Sequence, residues 1–186
     1  MCITISRLAL KEDEMSSTGV NQATQFQLEE PRFQDGKTVL VAGLRNRFAG
    51  PDVKNISALW ERFGPFIGKI PSQVGDVAYG LCYNMISNPF SFDYMAGVEV
   101  SSSSGLPADF SIISIPSMRY AIFTHRGPIA NLSITIDAMY HRWLPNSGRS
   151  FLQPIPDVPY MIERYDERFH PETASGDVEL WIPVKP

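Results

Sequence analysis

The stretch Tyr160-Met-Ile-Glu-Arg-Tyr-Asp-Glu-Arg-Phe169 holds the residue whose chemistry stands out. Read as a strand, its alternation puts Met161, Glu163 and Tyr165 on one face and Arg164 and Asp166 on the other. An acid between Met and Tyr on the core-facing side is anomalous, because an unpaired buried carboxylate is strongly unfavourable. Glu163 either finds an internal partner (an arginine or a tyrosine hydroxyl), sits on a partly solvated face, or awaits a cation. Glu179, in Asp177-Val-Glu-Leu-Trp-Ile-Pro-Val184, shares its face with Trp181 and is expected to be an edge-strand acid in solvent. Rings would complete a cation site, since each aromatic face attracts a desolvated cation by roughly 0.5–2 kcal/mol. The candidates are Trp60, Tyr79, Tyr140, Tyr165 and Trp181, whereas Phe63 and Trp143 read as ordinary core.

Other chemistries have weaker support. His125, His141 and His170 are scattered without metal-ligand spacing, and His141 falls on the solvent face of a helix. The segment SSSSGLP (101–107) has neither the lysine nor the following helix of a phosphate loop. No Gly-x-Ser-x-Gly nucleophile elbow occurs. Two cysteines, Cys2 and Cys82, make neither a disulfide framework nor a zinc site, and Cys82 reads as a small buried residue. No metal or cofactor is expected.

The elements that must position Glu163 follow from apolar spacing and turn residues. Residues 1–25 read as a polar arm, and the domain runs from 26 to 186. Residues 26–30 and 37–45 look like strands joined at Asp35-Gly36. Gly50-Pro51-Asp52 opens a helix carrying Ile56, Leu59, Trp60 and Phe63, which Gly64-Pro65 stops. Strands are expected over 76–85 and 92–100, split by Asn88-Pro89, with SSSSGLP as an exposed loop after them. The second half repeats the order: a strand over 118–125, a helix opened by Gly127-Pro128 and carrying Leu132, Ile136, Met139, Tyr140 and Trp143, then strands over 160–169 and 177–184.

The repetition extends to residues. Ala58-Leu-Trp-Glu-Arg-Phe63 matches Ala138-Met-Tyr-His-Arg-Trp143, and Asp76-Val-Ala-Tyr79 matches Asp157-Val-Pro-Tyr160. The chain is therefore expected to be α+β: two strand–helix–strand–strand units (about 26–105 and 106–186) sharing one curved antiparallel sheet, with two helices on one face. One unit alone buries too little surface to be stable. A cleft between the two helices is the natural ligand site. At the repeat offset Glu163 corresponds to Cys82, so the scaffold itself does not require an acid there.

Composition limits the partners. With 44% hydrophobic and 19% charged residues in 186, the chain is an ordinary globular protein rather than a disordered or coiled-coil one. A net charge of −4 and no Lys/Arg block argue against direct contact with nucleic acid. No apolar run nears the roughly 20 residues that span a bilayer, and residues 1–14 do not fit a secretory signal. No membrane contact is expected, and a cytoplasmic location is.

AIFTHRGPI (121–129), AMYHRWLPNSG (138–148), PYMIERYD (159–166) and DVELWIPVKP (177–186) resemble the effector-binding domain of AraC-type transcription activators and the GyrI-like small-molecule-binding domains. VAGLR (41–45) and FDYMAGVEV (92–100) fit the same pattern in the first half. The resemblance implies an inter-helix cleft for lipophilic, often cationic, compounds, with Glu163 matching the acid that takes the ligand's charge and Trp181 the aromatic on the last strand. It also implies a free-standing domain, because the 25-residue arm is too short for a helix-turn-helix, and a likeness to integron cassette proteins. A separate DNA-binding regulator or a second copy would then be the protein partner. The same resemblance offers two alternatives. One is a hydrolase of electrophilic compounds with Glu163 as general base, assisted by Tyr165 or Tyr79. The other is an inhibitor of a larger enzyme, docking through SSSSGLP or the arm.

Overall fold

Phe92, Tyr94, Ala96 and Val98 are buried on one side of a strand, and Met95 on the other. Such double burial needs a sheet covered on both faces. The computed structural model describes residues 27–149 and 155–185, so the expected arm (1–25) and Cys2 lie outside the described residues. Among the described residues nine strands form one antiparallel sheet: β1 (Arg32–Asp35), β2 (Val39–Ala49), β3 (Gln73–Ser87), β4 (Phe90–Val100), β5 (Ser111–Ile115), β6 (Arg119–Pro128), β7 (Met161–Tyr165), β8 (Phe169–His170) and β9 (Ser175–Pro183). Their order is β1-β6-β9-β7-β3-β4-β2-β5, with β8 on β9.

The duplication is built into this order. β7 and β3 lie at the centre, β9 and β4 flank them, then β6 and β2, with β1 and β5 at the edges. Leu81 of β3 pairs with Ile162 of β7, its own counterpart in the repeat. The fold is α+β with two strand–helix–strand–strand units in one sheet.

Helix α1 (Ile56–Phe63) buries Leu59 and Phe63, one turn apart, and leaves Trp60 half-buried beside them. Helix α2 (Leu132–Ala138) buries Leu132, Thr135 and Ala138 and continues through a π-turn at Met139–Trp143. Pro145 accounts for that widening. It has no N–H for the His141 carbonyl, and its ring crowds that carbonyl out of an α turn. Both helices pack on one sheet face, in a core that includes Leu59, Phe63, Leu132, Met139, Tyr94, Val98 and Leu180. The other face is closed by the sheet itself. β5 and β6 are joined by only three residues yet lie toward opposite ends of the order, so the sheet must curl. Ile113 and Ile115 thereby share a second buried cluster with Tyr120, Ile122, Leu81 and Met95.

Four expectations are corrected. Residues 27–30 are not a strand, and no hairpin turns at Asp35-Gly36: β1 pairs with β6, and the Gly36 N–H donates to the Met118 carbonyl. The strand expected over 160–169 is β7 and β8, broken where Asp166 Oδ1 accepts the Arg168 N–H at 3.1 Å in a side-chain-closed turn. Gly127 and Pro128 finish β6 instead of opening the helix. β5, unanticipated, pairs with β2.

Candidate ligand-binding site

Glu163 stands in the middle of β7, opposite Gly80 of β3 and Leu180 of β9. Paired residues share a sheet face, so its side chain lies on the helix side with Tyr94, Ala96 and Leu180. It is 6% exposed. Its Oε2 accepts two phenol hydrogen bonds, from Tyr94 at 2.5 Å and from Tyr165 at 2.8 Å. Trp60 of α1 donates its indole N–H to the Tyr94 hydroxyl at 2.9 Å, closing the site from above. The Trp60 ring meets Tyr165 edge-on at 5.0 Å, and Tyr165 meets Phe169 in the same way at 5.0 Å.

Among the described residues no lysine or arginine pairs with Glu163. Burial raises its carboxyl above the ordinary value, and the Tyr94 and Tyr165 hydrogen bonds offset only part of that rise. Burial and the nearby acid also push both phenols well up, so they remain donors at any physiological pH. The result is a dry acid held by neutral donors inside aromatic walls. It can accept a proton or a cation.

Further along β3, Cys82 is buried, and its thiol is pushed well up by burial and by Glu163. Tyr160 bonds to it and donates its backbone N–H to the Cys82 carbonyl at 2.9 Å. Tyr140, on the π-turn, interacts with Tyr160 and packs on the same core as Trp60. Tyr165 thus touches Glu163 directly, Trp60 reaches it through Tyr94 and Tyr165, and Tyr140 interacts with Tyr160 further out.

Tyr79 and Trp181 are not brought to Glu163. Tyr79 pairs with Arg164, and Trp181 with Ile162. Each is one position off the Gly80–Glu163–Leu180 row, and one position changes the face. Both rings pack in the second cluster, inside the curl. Glu179 is on that side too, and it is not a solvated edge acid. It is 5% exposed in an interior strand. It accepts hydrogen bonds from Arg32 (2.8 Å), Arg168 (2.9 Å), Arg164 (3.4 Å) and the Trp181 indole (3.0 Å). His141 is exposed and pairs with Asp137 at 2.9 Å.

Sequence reasoning missed Tyr94, although the alternation of Phe92, Tyr94, Ala96 and Val98 marks it as the one hydroxyl on that face of β4. It also missed Phe169. An open cavity of about 730 Å3 lies elsewhere, by the end of the second helix, with Leu28, Glu30, Arg142 and Trp143 on its walls. Its acid, Glu30, is exposed, so a cation there keeps its water. The buried carboxylate is the stronger attractor. Among the described residues no cluster of three or more His, Cys, Asp or Glu could hold a metal ion, and no helix is long and apolar enough to cross a membrane.

Comparison with known proteins fits this geometry. The sequence pattern of the GyrI-like small molecule binding domain matches residues 29–185. The chain belongs to the GyrI-like small-molecule-binding family. The transcriptional regulator BrlR of Pseudomonas aeruginosa is 33% identical over 131 residues, 69% of this chain and 46% of BrlR. The chain thus spans about half the length of that curated relative. Two solved structures share the GyrI-like fold. SAV2435 bound to tetraphenylphosphonium is 19% identical, with a TM-score of 0.66 over 84% of this chain and 94% of that one. The integron cassette protein VCH_CASS2 of Vibrio cholerae is 20% identical, with a TM-score of 0.59 over 85% and 97%.

Proposed function

We propose that this GyrI-like domain binds lipophilic cations beneath α1, with Glu163 as counter-charge and Trp60, Tyr94, Tyr165 and Tyr140 as ring walls. One observation carries the reading: a carboxylate buried with phenols, and without a basic partner among the described residues. Such a group is unfavourable by itself and becomes favourable once a cation shares its enclosure. A ligand of this kind gains most of its affinity from buried apolar area, at about 25 cal/mol per Å2 before the losses of association. The charge then decides which ligands enter.

Entry beneath α1 requires Trp60 to move, since its indole bonds the Tyr94 hydroxyl that in turn holds the acid. SAV2435, structurally similar, binds tetraphenylphosphonium, which supports the choice of ligand class. The likeness to the transcriptional regulator BrlR supports a role in regulation.

Titration with tetraphenylphosphonium tests the reading. Glu163→Gln keeps the shape and removes the charge, and should weaken binding at least about tenfold, the equivalent of one charged contact. Equal affinity in the two proteins, or turnover of an electrophilic compound abolished by Glu163→Gln, would replace cation binding with another function.

A further inference from the structure

We propose that Gly80 is the specificity-determining residue of the Glu163 site: the side chain it lacks is the seat in which the carboxylate and the Tyr94 hydroxyl lie, deep enough for a bulky shielded cation to fit above them. This rests on the cation-binding reading and deepens it. Tyr94 and Glu163 are not on neighbouring strands, because β3 runs between β4 and β7. With strands about 4.8 Å apart, the pair spans about 10 Å of sheet. Tyr94 pairs with Cys82 and Glu163 with Gly80, so the phenol reaches the acid by passing diagonally over Gly80.

A Cβ on Gly80 would collide with both the Tyr94 hydroxyl oxygen and Glu163 Oε2, and would lie 2.9 Å from Tyr94 Cζ. Gly80 is not among the glycines with positive φ, so the requirement is for room rather than for an unusual backbone. Its counterpart in the other half is Met161, opposite Cys82. In both pairs β3 supplies the short side chain and β7 the long one, but only at Gly80 is the short partner reduced to a hydrogen. An alanine at 80 would fill the seat, part Tyr94 from Glu163 and lift the carboxylate toward Trp60. The depth available to a ligand would shrink from below.

The test is calorimetric titration of tetraphenylphosphonium and of the smaller benzyltrimethylammonium into the native protein, Gly80→Ala, Glu163→Ala and the double variant. Gly80→Ala is expected to weaken tetraphenylphosphonium binding about tenfold, in line with one methyl forced into a packed site, and to change benzyltrimethylammonium binding less than about threefold. The pH midpoint of binding should rise, since the Tyr94 hydrogen bond that favours the ionised acid is lost. In the Glu163→Ala background the same change should alter tetraphenylphosphonium affinity less than about twofold, because Gly80 acts through the carboxylate. A Gly80→Ala protein too unstable to titrate should regain its fold when Glu163→Ala removes the carboxylate and gives the Tyr94 hydroxyl room to shift aside, and failure to do so overturns the proposal. So does tetraphenylphosphonium affinity within twofold of native in Gly80→Ala, or an equal loss of both cations at an unchanged pH midpoint. If Glu163→Ala itself binds tetraphenylphosphonium like the native protein, the cation reading falls and this proposal with it. If only the Gly80 outcomes fail, the reading stands without it.

Discussion

Glu163 and Glu179 lie on adjoining strands, β7 and β9, and are about equally buried, at 6% and 5% exposed. Their surroundings separate them. Glu163 faces the helices and is held by two phenols, and burial leaves its carboxyl above the ordinary value. Glu179 faces the inside of the curl. Burial pushes it up too, but hydrogen bonds from Arg32, Arg168 and Trp181 outweigh that and hold it below the ordinary value. A buried acid paired with arginines joins strands together. One held by neutral donors is left able to take a cation. The type of residue is the same, and the partners decide its role.

Exchanging charge for shape should separate the two acids most widely. Glu179→Gln removes the negative charge that Arg32, Arg164 and Arg168 share and is expected to lower stability by about 2 kcal/mol, short of a fully buried pair because Arg32 and Arg168 are nearly half exposed. Tetraphenylphosphonium affinity should stay within about twofold, since Glu179 lies across the sheet from the site. Glu163→Gln should do the reverse at neutral pH, losing cation binding while gaining stability. Chemical denaturation and titration of both variants would collapse the comparison if they behaved alike.

The two acids should also respond to pH with opposite sign. Folding favours the protonated form of Glu163, so its contribution to stability is full below the ordinary glutamate range of about 4.3 and declines as pH rises through its raised folded value. A bound cation favours the ionised form. Affinity for tetraphenylphosphonium should therefore climb over that same interval and level off above it, and Glu163→Gln should flatten the profile. Glu179 is depressed, so its contribution is full above the ordinary range and is lost as pH falls through its lowered folded value. Denaturation midpoints measured against pH for the two Gln variants separate the branches. A flat affinity profile in the native protein would remove Glu163 from the binding event.

Local order in the sequence was enough for the duplication and for Glu163, because strand alternation over a few residues sets which way a side chain points. Register between strands was not local. The burial of Glu179 depends on Arg32, distant in sequence, and on a turn that brings Arg168 back beside β9. Tyr94 reaches Glu163 across an intervening strand, a contact that no spacing within either strand encodes. Trp181 and Tyr79 have the ring type a cation site needs, but each lies one position off the Glu163 row, which moves it to the other face. β5 escaped notice because its partner, β2, lies on the far side of two strands and a helix in sequence.

The indoles give the smallest contrast and test the same division. Trp60 donates to Tyr94, which donates to Glu163, whereas Trp181 donates to Glu179 directly. Phenylalanine at either position keeps most of the ring area and removes one N–H, a net effect of about 1 kcal/mol. At Trp181 the loss falls on the arginine network, so Trp181→Phe should lower stability by that amount and leave tetraphenylphosphonium binding unchanged. At Trp60 the lost bond is the one to Tyr94, which a ligand entering as proposed would break in any case. Trp60→Phe should therefore weaken binding only about two- to threefold, through the poorer cation attraction of the phenyl face. A larger drop for Trp181→Phe than for Trp60→Phe would place the ligand inside the curl and exchange the roles of the two acids.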